Sequence, residues 1–122
     1  RIEEKEIEMV KNIVSTMSYS KVKVNGFPDF GDYMWAYHVV READLLSAYD
    51  FDRCMIYHLK QNDRDIDSSF ANASKLFENR VFKHYDDGLL LTEYSKENYM
   101  QYQSNALNRI GAWKKILKNY VL

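Results

Sequence analysis

Apolar positions recur at helical intervals along most of the chain. Ile7, Val10, Ile13, Val14 and Met17 follow one another at spacings of three, four and seven, and Glu3, Glu4, Glu6 and Glu8 crowd the early turns. This predicts a first helix whose N-terminal acids suit the helix dipole. From Ser18 to Gly31 the pattern breaks. The segment "SYSKVKVNGFPDFG" holds Asn25-Gly26 as a turn signal, Pro28 as a breaker and Gly31 as another, so a long ordered loop is expected. Asp32 reads as the N-cap of a second helix reaching about Tyr49, and Asp50 or Asp52 can restart a third through "RCMIYHLKQ". After the polar gap "NDRDIDSS", Phe70, Ala73, Phe77 and Val81 form the stripe of a fourth helix that stops at Gly88. A short apolar link, "LLL", then leads to Thr92 or Ser95 as the cap of a last helix, with Tyr99, Tyr102, Ala106, Ile110, Trp113 and Leu117 on its inner side. The expectation is an all-α fold of about five helices, a single domain over residues 1–122.

Composition agrees. With 46% hydrophobic and 15% aromatic residues, the chain is too apolar to be disordered, and one Pro and 4 Gly leave few breaks in its helices. A formal charge of −1 supplies no broad basic field of the kind that draws a protein to nucleic acid or anionic lipid. The basic segment "WKKILKN" lies at a helix C-terminus, where cations need no partner to explain them, so nucleic acid is not an expected partner. No apolar run approaches the ~20 residues that span a bilayer, and no signal peptide is visible. The lone Cys54 excludes an internal disulfide and fits a reducing compartment, so a cytoplasmic location is the simplest expectation.

One residue resists this pattern. Asp44 stands within "YHVVREADLLSAYDFDRC", a run that otherwise reads as a buried helix. Its helical neighbours Val40, Ser47 and Ala48 are apolar or small, and only Arg41 is charged. A buried carboxylate needs a cation, a set of hydrogen bonds or a proton, so Asp44 is expected either to pair structurally with an Arg or a backbone amide, or to hold a ligand. His38 lies six residues earlier, about 120° away around the helix axis, so the two cannot chelate one ion. His58 and His84 fall on other segments and give no self-contained metal spacing.

The segment "READLLSAYD" resembles the distal Asp motif of the HD-domain phosphohydrolase superfamily, an Ala-Asp-x-Leu on a helix, with Asp44 at the Asp. "IVSTMSYS", a variable loop and "YHVVREADLLSAYD" are similar in order and spacing to small HD hydrolases of the bacterial nucleotide-pyrophosphatase type. "LFENRVFKHYDDGLLLTEYSKENYMQYQSNAL" looks like their closing helical pair. The resemblance implies a divalent metal (Mn, Fe, Co, Ni or Mg) with Asp44 as one of its protein ligands. It also implies a nucleotide or small phosphoester as substrate. The family's earlier ligands, a His and an adjacent His-Asp pair, have no counterpart here, since the chain contains no His-Asp dipeptide. Together with an opening at Arg1 inside a charged helical segment, this leads to the expectation that the chain is the later part of a longer polypeptide; the alternative is a degenerate domain that kept the fold without its metal.

In an HD-like arrangement Lys21 and Arg53 are substrate-binding candidates, a Lys serving as a point charge for phosphate. Against this, loop lysines are commonly solvated, and Arg53 and Arg41 have Asp50 and Asp52 within reach as ion-pair partners. His38 reads as a core or edge histidine, and Cys54 as a small inert hydrophobe. The alternative to a hydrolase is a catalytically silent helical module for protein association. Missing helices predict an exposed apolar face, covered by a partner chain or by self-association.

Overall fold

The computed structural model describes residues 3–119, and among them there are six α-helices and no strand. The chain divides into two compact units, the first running to Leu45 and the second beginning at Leu46.

In the first unit, α1 (Glu4–Thr16) carries Glu4 and Glu6 in its opening turn and buries Ile13. Ser15 and Thr16 donate their hydroxyls back to the Asn12 carbonyl, the local bonding by which such residues compete with continued helix. The expected loop is not a loop throughout: Tyr19–Asn25 forms α2. Ser18 caps it by accepting from the Lys21 amide, and Gly26, at φ +72°, ends it in a conformation that suits glycine. A seven-residue helix between turn signals leaves little periodicity to detect. Asp32 lies within a 3-10 turn, Gly31–Tyr33, rather than capping the next helix, which starts at Met34. That helix, α3 (Met34–Ser47), buries Tyr37, Arg41, Glu42 and Leu45.

In the second unit, Asp50 caps α4 (Phe51–Gln61), accepting from the Arg53 amide. The polar gap is shorter than expected. It covers Asn62–Asp65, and Ile66 already opens α5 (Ile66–Asn79). The helix does not reach Gly88 as expected: it ends at Asn79, Val81 falls in a separate 3-10 turn, Val81–Lys83, and Gly88 follows at φ +74°. Thr92 accepts from the Ser95 amide at the start of α6 (Glu93–Asn119). α4 packs on α5 and α6, and α5 on α6. Phe51 meets Phe70 and Phe77 edge to face at 5.9 and 5.0 Å, with Met55, Ala73, Ala106 and Ile110 buried in the same unit.

Candidate functional site

Asp44 is exposed. The expectation of a buried carboxylate there is corrected: the buried acid of α3 is Glu42, 2% exposed, which accepts a 2.9 Å bond from Arg41 Nη2, itself 1% exposed. The helix turns its inner face along Tyr37, Arg41 and Leu45, four residues apart, so Asp44 falls on the outer side beside exposed Val40 and Ala43. Arg41 therefore pairs with its chain neighbour rather than with Asp50 or Asp52.

Arg41 is enclosed further. Its guanidinium lies 4.8 Å from the Phe27 ring and 5.9 Å from Tyr37, and Nη2 stands 2.9 Å from His38 Nδ1. An arginine nitrogen can only donate, so His38 Nδ1 accepts and the imidazole proton resides on Nε2. Burial, and then the Arg41 charge, hold His38 below the ordinary histidine range. Half-buried His38 is an edge histidine locked in a structural network.

Lys21 lines a small cavity of about 100 Å³ with Thr16, Asn25, Gly26 and Pro28, and its ammonium donates to the Ser15 carbonyl at the end of α1. A larger groove of about 590 Å³ lies between α1 and α3. Its walls are Met9, Val10 and Ile13 on one side and Tyr33, Trp35, Ala36 and Val40 on the other. Trp35 is 68% exposed and Val10 57%. Val40, at the groove wall, sits one helical turn before Asp44.

The second unit holds Arg53, at the entrance of α4, in a pocket of about 390 Å³ shared with Tyr49, Asp50, Phe51, Tyr102, Asn105 and Arg109. Arg109 Nε and the Trp113 indole N–H both donate to Asp52 Oδ1, at 3.1 and 3.0 Å, and these bonds hold the Asp52 carboxyl below its usual range, the Trp113 bond most strongly. The expectation that Arg53 pairs with an acid is not met among the described residues: Asp52 takes Arg109 and Asp50 takes the Arg53 backbone amide. Burial raises the Cys54 thiol, partly offset by Arg53, so the half-buried thiol stays protonated at neutral pH. Arg109 had no individual signal in the sequence beyond a basic helix end. The spacing of Tyr102, Asn105 and Arg109, a polar stripe at i, i+3 and i+7 beside buried Ala106 and Ile110, is the pattern that places it.

No group of three or more His, Cys, Asp or Glu side chains among the described residues could hold a metal ion. The described residues do not fit a divalent metal by themselves; Asp44 offers one hard oxygen donor. No helix among them is long and apolar enough to cross a membrane. Comparison of the chain with family models, with curated proteins and with solved structures finds no match.

Proposed function

We propose that these 122 residues are the carboxylate-bearing portion of an HD-type, metal-dependent phosphohydrolase acting on a nucleotide or related phosphoester. The placement of Asp44 carries the reading. The aspartate of the Ala-Asp-x-Leu segment is exposed on α3, one turn past Val40 at the wall of an open apolar groove. A carboxylate that serves as one ligand among several needs such access, with apolar surface beside it on which ligand-bearing helices can pack. In this reading the His and His-Asp ligands belong to helices outside the 122 residues, and those helices cover the groove.

The test is the parent protein with all upstream sequence, as wild type and as Asp44→Asn, assayed for bound metal and for hydrolysis of a nucleotide panel. Loss of a side chain that binds the metal directly is expected to remove most of the bound metal and to cut turnover by at least about 100-fold. Equal metal content and equal turnover in the two proteins would refute the reading. The same groove favours a second one, a helical module that binds a partner protein through α1 and α3 without catalysis, and that outcome would leave it standing.

A further inference from the structure

We propose that the 390 Å³ pocket of the second unit binds a phosphomonoester that carries a planar ring, a mononucleotide being the simplest example. Arg53 and Arg109 take the phosphate, and Tyr102 takes the ring. The site uses Arg53, the substrate-binding candidate of the hydrolase reading, but neither Asp44 nor a metal, so binding here is tested apart from hydrolysis and can fail without it.

The donors point to an anion. Arg53 is exposed, and among the described residues its guanidinium makes no ion pair or hydrogen bond. Arg109 commits only Nε to Asp52, which leaves both terminal nitrogens as donors. Asn105 accepts from Gln101 through Oδ1, so its amide N–H groups also remain. Arg109 is already paired with Asp52, so the charge left for a ligand is that of Arg53, and the planar forks of Arg53 and of the terminal nitrogens of Arg109 match phosphate oxygens. The opposing acid, Asp50, has one carboxylate oxygen fixed on the Arg53 amide at 3.2 Å.

The remaining walls point to a ring. Phe51 and Ala106 make an apolar floor. Tyr102 packs on Tyr49 with centroids 6.0 Å apart, and its hydroxyl is bonded to that of Tyr94 at 3.2 Å, so its ring is fixed before any ligand arrives. A flat apolar face beside cations is how proteins hold a base and its phosphate together. The volume lies within the ~300–1,000 Å³ of ordinary small-molecule sites.

The experiment titrates the full chain, in metal-free buffer, with AMP, adenosine and inorganic phosphate, by calorimetry and by amide NMR shifts. AMP is expected to bind more tightly than either fragment and to shift residues of α4 and α6. Arg53→Gln should weaken AMP by about tenfold or more, the loss of a charge-assisted bond. Asp50→Asn keeps a capping side chain and removes the opposing charge, so it should tighten AMP. Asn105→Leu, on the α6 wall, should weaken it. Circular dichroism of each variant confirms the fold. AMP binding that is absent at millimolar concentration, unchanged by Arg53→Gln, or no tighter than that of phosphate or adenosine would overturn the proposal.

Discussion

Tyr49 shows how a single side chain can set the pH response of the second unit. It is 4% exposed, its hydroxyl has no hydrogen-bond partner among the described residues, and burial, reinforced by neighbouring Tyr99, raises its ionisation to about 12 from the ordinary 10.0. Between those two values the unfolded chain releases the proton while the fold retains it. The stability present below pH 10 is therefore lost as pH rises towards 12, by up to roughly 3 kcal/mol. Tyr49→Phe removes both the unsatisfied hydroxyl and this ionisation. Urea unfolding at about pH 8 should show the variant equal to or up to ~2 kcal/mol more stable than wild type, with the gap widening at about pH 11. A constant gap would mean that Tyr49 ionises like an exposed tyrosine. Both Glu42 and Asp44 are acids on one helix, and the presence of two apolar neighbours made Asp44 look buried. The inner face in fact includes Arg41, and it is the Arg41 and Glu42 pair together with Phe27 above it that allows two ions inside. A pattern of apolar spacings locates a buried face only to within a residue or two and does not say which acid on it meets a cation, so the Arg41 and Glu42 pair is invisible to it.

At the scale of the element, what could be read was what is local. Asp50 before α4 and Thr92 before α6 were legible because a cap bonds an amide three residues on, and the α5 stripe of Phe70, Ala73 and Phe77 was legible because its period is sustained. The pocket was not, since Arg53 and Arg109 meet only through the packing of α4 on α6. Between α4 and α5 the chain turns through Asp63 at φ +50° and Arg64 at φ +65°, and the Arg64 amide bonds back to the Leu59 carbonyl at 2.8 Å to close the helix. Left-handed backbone costs an L residue about 1–2 kcal/mol that glycine avoids, although glycine also gives up more chain entropy on folding. Arg64→Gly should raise stability by about 0.5–1 kcal/mol, whereas Gly88→Ala, at φ +74° with open space around its Cα, should lower it by about 1 kcal/mol from backbone strain alone. Thermal melts of the two variants give the comparison, and a destabilised Arg64→Gly would show that the Arg64 side chain holds the turn.

Across the whole molecule, exposed apolar side chains occur in both units, and those of the first unit include several that line one groove. α1 turns Ile7, Val10 and Val14 outward, and Tyr33, Trp35, Val39 and Val40 at and within α3 are exposed as well, within a first unit that also carries the 590 Å³ groove. Exposed apolar residues scattered singly, as Ile7, Val14 and Val39 are, need no account, but Val10, Tyr33, Trp35 and Val40 line one groove, and grouped apolar surface is what water tolerates poorly. The formal charge of −1 adds little repulsion to keep such surfaces apart. The 122-residue chain should consequently bind an environment-sensitive hydrophobic dye and associate as its concentration rises. Both effects should fall sharply in Val10→Lys and Trp35→Lys, which place charge at the two walls of the groove. Exposed Trp35 should also be quenched by acrylamide more readily than half-buried Trp113, whose indole is bonded to Asp52. In the parent protein, where ligand-bearing helices are proposed to cover α1 and α3, the dye should no longer bind and Trp35 should become protected. Dye binding that persists there at full strength, while metal content still depends on Asp44, would separate the two halves of the reading, leaving Asp44 as a ligand and the groove free for a different partner.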